Sequence, residues 1–397
     1  MHMNVTNAAF EQSTIGVHMK SLGYSTGMFG KLLNPPGMAP YCKGEHQPLP
    51  GFDDYLAMCN DNRYFNNEFT RNGKIYTTGT SPTDYLTSVI GNATLDFVES
   101  SLKSSKPFFA YVAPHAPHVP ATPAPWYENE FANDTAPRTP NYNYSALDHH
   151  YVIRMQPPIT TKEGEEVDEL FQNRWRTLLS VDDITRSLVD LLEKYNQLEN
   201  TYIVWTSDHG FQLGQLRLPS CKLQPYEHDI RVPFLIAGPG IPASFFFEFI
   251  AGMVDVSPTL LTLGGGKPPD SMDGKSFAEL LMQKEPKKTV AWRDKHMLEY
   301  WSLGNVVRYG HYIDMPNNTY IGARLLNSTH NYLYVEFYNG EDVVSFDNPL
   351  EYELFDITKD PYQMKNLYGT AEEDNELVQE LHDFLHKQIT CKGQDCQ

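Results

Sequence analysis

The pattern of apolar and polar positions predicts alternating strands and helices up to about residue 287. Short runs of β-branched and aromatic residues, which are typical of buried strands, lie at residues 108–112, 201–207 and 231–238. Apolar residues with helical i, i+3, i+4 spacing lie at residues 14–22, 175–195 and 251–263. This alternation favours an α/β fold with a mostly parallel central sheet flanked by helices.

The last part of the chain has a different pattern. Four strand-like segments, HMLEYW, TYIGARLL, YLYVEFYN and YELFDI, follow one another without helical segments between them. Such a series predicts an antiparallel sheet, which a helix over residues 375–389 would complete. We place the domain boundary in the polar segment QKEPKK, so that residues 1–287 form the first domain and residues 288–397 a smaller α+β domain.

The amino-acid composition bears on which kinds of partner the protein can bind. The 397 residues include 31 Lys and Arg and 50 Asp and Glu, which gives a net charge of −19. This balance argues against nucleic acid as a partner, because phosphate binding needs a basic surface. No run of about 18 apolar residues occurs, so no membrane span is predicted.

Cysteines and glycosylation motifs bear on the compartment. The spacing of Cys391 and Cys396 allows a short disulfide, and no CxxC pair is present among the five cysteines. Asn-x-Ser/Thr acceptor motifs begin at Asn4, Asn92, Asn133, Asn143, Asn317 and Asn327. Together these features favour a lysosomal or extracellular protein. The residues after Met1 lack the charged and apolar segments of a signal peptide.

The stretch with the most chemistry follows the strand predicted at residues 201–207. Asp208 and His209 come at its end, where open α/β sheets place their ligand crevice. A carboxylate and an imidazole suit a metal ion, although Asp before Gly is also common in turns. Lys222 follows 13 residues after His209 and could hold an anion beside the metal. The residues alone leave the metal site and the ordinary turn both open.

Other polar residues have competing interpretations. Lys31 follows Gly30 at the end of a short predicted strand, where its ammonium could bind an anion or face solvent. His115 is interpreted as an ordinary loop histidine. The acidic pairs at residues 53–54 and 182–183 lie in a predicted turn and a predicted helix, so we do not expect either to bind a metal.

Several motifs together resemble the sulfatase family, in particular its N-acetylglucosamine-6-sulfatase branch. The central motif is Ser-Asp-His-Gly with the Gly-Gln, Lys, Tyr-Glu and Ile-x-Val-Pro that follow it at residues 207–233. Further matches are the Gly-Lys and Asn of residues 30–34, Ala-Pro-His-x-Pro at residues 116–120, and Asp-Pro-Tyr-Gln at residues 360–363. The resemblance covers nearly the whole chain, including the closing cysteine pair.

The resemblance implies a fold and an activity. The fold would be an alkaline-phosphatase-like sandwich, and the activity would be hydrolysis of a sulfuric ester on a sugar, such as the 6-sulfated N-acetylglucosamine of glycosaminoglycans. Asp208 and His209 would bind a divalent cation, Ca²⁺. Lys31, Lys222 and Asn34 would contact the sulfate, Asn34 also on the metal side. His118 would act as general acid for the leaving alcohol, a role that suits an imidazole.

One family motif is absent from the 397 residues. Sulfatases carry Cys-x-Pro-Ser-Arg after a first strand that ends in two Asp ligands, and its Cys becomes the formylglycine nucleophile. We therefore expect residues 1–287 to form a catalytic domain without its first strand and nucleophile segment, and the chain to be inactive as it stands. Alternatives are a sulfatase-derived pseudoenzyme that binds glycosaminoglycans and a phosphate-ester hydrolase of the same superfamily.

Overall fold

The computed structural model describes residues 12–33, 41–42, 49–60, 63–282, 291–340 and 346–397. Two predicted site residues, Asn4 and Asn34, and the predicted domain boundary after residue 287 lie outside these ranges. The chain divides into two compact units, each discontinuous in sequence. The first comprises Met1–Thr135, Glu169–Thr201 and Leu261–Lys267; the second comprises Ala136–Asp168, Tyr202–Leu260 and Pro268–Gln397.

Helices and strands are named in chain order. The strands are β1 (Ser25–Gly30), β2 (Asp54–Met58), β3 (Glu68–Arg71), β4 (Lys74–Thr77), β5 (Phe108–Ala113), β6 (Ile203–Thr206), β7 (Phe234–Ala237), β8 (Lys295–Tyr300), β9 (Val306–Arg308), β10 (His311–Asp314), β11 (Thr319–Leu326), β12 (Asn331–Tyr338) and β13 (Glu351–Asp356). The helices are α1 (Ile15–Ser21), α2 (Leu86–Lys103), α3 (Tyr151–Arg154), α4 (Thr161–Lys194), α5 (Glu227–Ile230), α6 (Val256–Leu263), α7 (Ala278–Leu281) and α8 (Asn375–Gln388). In the described ranges, no helix combines the length and apolar character needed to cross a membrane.

The first unit is built on a five-stranded mixed sheet with the order β4-β3-β2-β1-β5. Strand β1 pairs in parallel with both β2 and β5, whereas β3 and β4 extend the sheet as antiparallel strands. Helix α2 packs on β1 and β5, and its buried face includes Ile90, Phe97 and Val98. Because β1 and β5 are parallel, residues that follow the two strands lie at the same edge of the sheet.

The long helix α4 begins 14 residues before the predicted start at residue 175. Its first turn is polar, so the apolar spacing that predicts helix is weak there. A capping box starts it instead: the Thr160 N–H donates to Glu163 Oε2 (2.6 Å), and the Glu163 N–H donates to Thr160 Oγ1 (3.3 Å). The Thr-x-x-Glu spacing was therefore a usable start signal in the sequence.

A four-stranded antiparallel sheet, with the order β13-β12-β11-β8, forms the core of the second unit. All four strands match the segments predicted from the sequence. Alternate residues cover its two faces, as the period of two in a strand requires. One face carries Tyr320, Leu333 and Phe337, and the other packs against the leucines of α8. This confirms the predicted antiparallel sheet with a closing helix.

Strand β6 differs in detail from its prediction. Its four residues are half-buried rather than buried, and it pairs antiparallel with β7 in a two-stranded sheet. The apolar run predicts a strand correctly, but such a run does not determine which strands become its neighbours.

Two disulfides occur among the described residues. Cys391 and Cys396 are bonded, as the sequence allowed, and the bond follows directly after α8. Cys42 and Cys59, which lie 17 residues apart, form a second bond that the sequence analysis did not predict. Cys221 is the free cysteine. Burial raises the pKa of its thiol, which disfavours the reactive thiolate.

The pairing predicts one free thiol among the five cysteines. Alkylation of unfolded, unreduced protein should add one label, at Cys221, and mass spectrometry of peptides should locate it. Because a longer closed loop restricts the unfolded chain more, we expect replacement of Cys42 and Cys59 by Ser to lower the free energy of unfolding by about 3 kcal/mol, against about 2 kcal/mol for Cys391 and Cys396. Labelling of Cys42 or Cys59 without reductant would contradict the assignment.

Candidate functional site

Lys31 is positioned by the end of β1 in the first unit. Its N–H donates to the Ala113 carbonyl of β5 (2.8 Å), so the parallel pairing continues one residue past the strand. Gly30 has φ of +112°, and a Cβ there would lie 2.0 Å from the Ala113 carbonyl oxygen. Since no other residue fits at position 30, the glycine fixes where the half-buried Lys31 leaves the sheet.

His118 lies in the loop that follows β5, and therefore at the same edge of the sheet as Lys31. The loop is held by side chains: the Tyr64 hydroxyl donates to the His118 carbonyl (2.7 Å), and Arg174 Nη1 donates to the Pro117 carbonyl (2.8 Å). His118 Nδ1 donates to the Val119 carbonyl (2.7 Å). Because a carbonyl oxygen accepts only, Nδ1 carries a hydrogen, and Nε2 is the ring nitrogen that can exchange a proton.

His115 is more than the ordinary loop histidine expected from the sequence. It is buried, and its ring centroid lies 4.6 Å from that of His118 and 5.5 Å from that of Tyr64, which it meets in a T-shaped arrangement. The His118 N–H also donates to the His115 carbonyl (2.9 Å). We conclude that His115 supports the His118 ring, a role that spacing in the sequence does not reveal.

Asp208 and His209 form a turn directly after β6 in the second unit. His209 Nδ1 donates to the Gly210 carbonyl (2.7 Å), which leaves Nε2 at 3.4 Å from Asp208 Oδ2. The Asp208 side chain is 73% exposed and that of His209 is 34% exposed. A histidine whose second nitrogen bonds a backbone carbonyl has the orientation seen in metal ligands.

These two side chains supply part of a cation site. Ca²⁺ takes six to eight oxygen ligands, and Asp208 and His209 together offer one carboxylate and one imidazole. Across the ranges that the structure describes, no third His, Cys, Asp or Glu joins them as a metal-holding group. The turn alone therefore does not make a calcium site, and we assign no catalytic step to a cation.

Gly210 ties this turn to the segment that carries Lys222. The Gly210 N–H donates to the Asp229 carbonyl (2.7 Å), and the Gln212 N–H donates to the Cys221 carbonyl (2.7 Å). A Cβ at Gly210 would lie 1.9 Å from the His228 carbonyl oxygen. The structure thus brings the Asp208 turn and the Lys222 segment together in one hydrogen-bonded arrangement.

The backbone around Lys222 is strained. Cys221 has φ of +132° and Leu223 has φ of +96°, in the region that non-glycine residues avoid. Such strain persists where surrounding contacts impose it, and it is concentrated at functional sites. Beside them, Asp229 accepts from Gln212 Nε2 (2.7 Å) and from the Gln224 N–H (2.9 Å). Burial raises the pKa of Asp229 well above its usual range.

A buried carboxylate anchors this segment to the four-stranded sheet. Glu353 of β13 accepts from the Tyr226 hydroxyl (3.0 Å) and from the His150 N–H (2.6 Å). Next to Tyr226, Glu227 receives a hydrogen bond from Arg324 Nε (2.8 Å). The Tyr-Glu of the sequence motif is therefore structural: it fixes the loop that presents Lys222.

The C-terminal motif at residues 360–363 serves the same loop. Gln363 Oε1 accepts from the Glu227 N–H (2.8 Å), and the Gln363 carbonyl bonds His149 Nε2 (2.8 Å). The other ring nitrogen of His149, Nδ1, lies 2.9 Å from Asp148 Oδ1. Sequence reasoning did not identify this network, because its members are far apart in the chain.

The acidic pairs expected to be structural form ordinary contacts. Asp53 pairs with Lys20 (2.6 Å) and Asp54 with Arg71 (3.0 Å). Asp183 accepts a hydrogen bond from the Tyr127 hydroxyl (2.9 Å). Asp53, Asp54 and Asp183 therefore each have a partner within the protein.

Comparison with known proteins gives matches over nearly the whole chain. The family description "Sulfatase" matches residues 1–266, and "N-sulphoglucosamine sulphohydrolase, C-terminal" matches residues 222–391. The N-acetylglucosamine-6-sulfatase of Homo sapiens is 35% identical over 407 aligned residues, which cover 97% of this chain and 71% of that protein.

Solved structures share the fold at lower identity. A protein in complex with its substrate D-glucosamine-2-N,6-O-disulfate has a TM-score of 0.77 and 23% identity, covering 95% of this chain and 82% of that one. The phosphonate monoester hydrolase of Silicibacter pomeroyi has a TM-score of 0.69 and 18% identity, covering 96% and 81%. Since both chemistries occur on this fold, the fold by itself does not select sulfate over phosphonate esters.

Glu353 predicts a pH-dependent stability. Burial raises its pKa to about 7, although the charge of His149 and the His150 N–H act in the opposite direction. The folded protein therefore holds this proton more tightly than the unfolded chain, and the resulting stability is full below about pH 4.5 and lost as pH rises through 7. Relative to Glu353→Gln, the wild type should lose roughly 3 kcal/mol of unfolding free energy across that window.

Thermal or denaturant unfolding of both proteins between pH 4.5 and 8 measures this difference. Glu376→Gln, which removes an exposed carboxylate from the same unit, is the charge-matched control. Parallel curves for the wild type and Glu353→Gln would show that the carboxylate is not protonated preferentially in the folded state.

Proposed function

The chain belongs to the sulfatase family, and from this premise we propose that it recognises sulfate esters on glucosamine-containing glycans. The observation that carries the proposal is the 35% identity to a human N-acetylglucosamine-6-sulfatase over 97% of the chain. The substrate of the solved relative, a glucosamine with a 6-O-sulfate, supports the same class of ligand. The 6-sulfate of N-acetylglucosamine in glycosaminoglycans is the specific group that we propose.

The roles follow the chemistry of each side chain. Lys31 and Lys222 bind sulfate oxygens as compact cations, which form charge-assisted hydrogen bonds. Asn34 adds a neutral donor to the sulfate and a contact on the metal side. His118 donates a proton from Nε2 to the oxygen of the leaving alcohol, because Nδ1 is engaged by Val119. Asp208 and His209 serve as two ligands of a divalent cation, with Ca²⁺ as the proposed ion.

Turnover requires a nucleophile that the 397 residues do not supply. They contain no Cys-x-Pro-Ser-Arg from which formylglycine could form. Four of the five cysteines are paired in disulfides, and burial disfavours the thiolate of Cys221. This observation favours a second candidate function for the 397-residue chain, that of a sulfated-glycan-binding module without hydrolysis.

The two candidates differ in the release of sulfate. We expect the 397-residue protein to bind 6-sulfated N-acetylglucosamine and to release no sulfate, even after co-expression with a formylglycine-generating enzyme. Because a hydrogen bond to a charged group contributes about 1.5–3 kcal/mol, Lys222→Ala should weaken binding at least tenfold. Calorimetry measures binding and ion chromatography measures sulfate.

Lys74→Ala, which removes an exposed lysine from β4, is the control for loss of charge. Sulfate release by the wild type above the level of Lys222→Ala would establish the hydrolase. Equal affinity of wild type and Lys222→Ala would refute both candidates. Tighter binding of the 6-phosphate than of the 6-sulfate would favour the phosphate-ester alternative.

We propose a lysosomal or extracellular location. The two disulfides support it, because such bonds persist in oxidising compartments. Among the described glycan acceptors, Asn92, Asn133 and Asn327 are exposed and Asn317 is half-buried.

Asn143 should remain unglycosylated. Its Oδ1 accepts from the Ile159 N–H (2.8 Å) and its Nδ2 donates to the Ile159 carbonyl (3.2 Å), so the amide that would carry the glycan is engaged. We expect occupancy at Asn92, Asn133 or Asn327 in protein secreted from animal cells. Deglycosylation in heavy-oxygen water followed by peptide mass spectrometry shows which of these asparagines carried a glycan. A glycan at Asn143 in folded protein would contradict this expectation.

A further inference from the structure

Helix α8 covers one face of the four-stranded sheet in the second unit. Leu377, Leu381 and Leu385 recur every four residues along its buried side, and all three are at most 5% exposed. His382 and His386 each follow one of these leucines. They therefore lie side by side at one border of the buried face.

The strand beneath this border carries a buried carboxylate. Glu336 lies on β12, and its side chain has no exposed surface. Tyr334 and Tyr338 point to the same face of the sheet, since residues two apart in a strand share a face. The Tyr334 hydroxyl donates to Glu336 Oε1 (2.9 Å), and the Tyr338 hydroxyl donates to Oε2. Burial and the charge of Glu336 raise the pKa of both phenols, so both remain donors.

The two histidines complete a compact set of ligand atoms. His382 Nδ1 lies 2.7 Å from Glu336 Oε1, and His386 Nε2 lies 3.2 Å from Oε2. The imidazole centroids are 4.1 Å apart. The three side chains offer ligand atoms that all lie within 4.8 Å of one another, and within the described part of the chain no other such group of three occurs.

We propose that Glu336, His382 and His386 form a binding site for Zn²⁺ that joins α8 to β12. Two imidazoles and one carboxylate are a ligand set that suits this ion. With metal–ligand distances of 2.0–2.1 Å, tetrahedral ligands lie about 3.3 Å apart, close to the separations between the carboxylate and the imidazoles. Small shifts of side chains would suffice to admit the ion.

The surroundings match what a bound cation requires. The two phenols donate hydrogen bonds that orient the carboxylate, as the hydrogen-bond partners of ligands do at metal sites. The His382 and His386 side chains are 37% and 27% exposed, which gives the ion a path from solvent and leaves a position for water.

Zinc titration of untagged, chelator-treated protein tests the proposal. Every protein in this test carries Asp208→Asn. This substitution removes one ligand of the cation in the proposed function, so that bound zinc can be assigned to the Glu336 site. We expect one equivalent of Zn²⁺ per chain, a rise in melting temperature of about 3 °C or more at saturation, and a tetrahedral visible spectrum with Co²⁺. The double variant His382→Gln/His386→Gln should bind no zinc, show no rise in melting temperature with Zn²⁺ and give no tetrahedral Co²⁺ spectrum.

Glutamine is a better helix former than histidine, so the double variant is expected to retain α8, which circular dichroism checks. Asp383→Asn, which removes an exposed carboxylate from the same helix, should bind zinc like the background protein. Glu336→Gln should weaken binding by at least tenfold. Equal zinc uptake by the background protein and the double histidine variant, or no uptake by either, would overturn the proposal.

Discussion

The hydrogen bonds to the buried Glu353 carboxylate are the interaction on which the second unit's site residues depend. They join the Tyr226 loop and the His150 turn to β13, which is an edge strand of the antiparallel sheet. A buried carboxylate needs several hydrogen-bond donors to replace water. Removing one donor raises the free energy of keeping the carboxylate buried. Tyr226 links the loop of Lys222 to the interior of the unit, whereas the strained residues beside Lys222 have separate contacts: the Cys221 carbonyl accepts from the Gln212 N–H and the Leu223 carbonyl accepts from Asn318 Nδ2.

Local patterns in the sequence predicted much of the architecture. The strands of the antiparallel sheet, the Gly30-Lys31 strand end and the Asp208-His209 turn depend on residues close together in the chain, and all were located correctly. The family and the alkaline-phosphatase-like fold class are confirmed by the comparisons. The early start of α4 was missed although its capping box was visible, because the apolar spacing was weak there.

The features that the sequence analysis did not predict depend on contacts between residues that are far apart in the chain. The Cys42–Cys59 bond depends on the path of the intervening chain, and the packing of His115 on His118 depends on a loop conformation. Glu336 and His382 are 46 residues apart, and their approach follows from the placement of α8 on β12. Residue type suggested none of these pairs, since a buried glutamate and surface histidines are each ordinary when considered singly.

Gly30 shows how the backbone can fix the place where a charged residue leaves a sheet. Lys31 leaves the sheet at a point set by the backbones of β1 and β5, because a Cβ at position 30 would lie 2.0 Å from the Ala113 carbonyl oxygen. The surface around this lysine can therefore vary without displacing the backbone from which its side chain starts. For protein engineers, the consequence is that libraries aimed at a changed ligand preference should keep this dipeptide and diversify the loops around it.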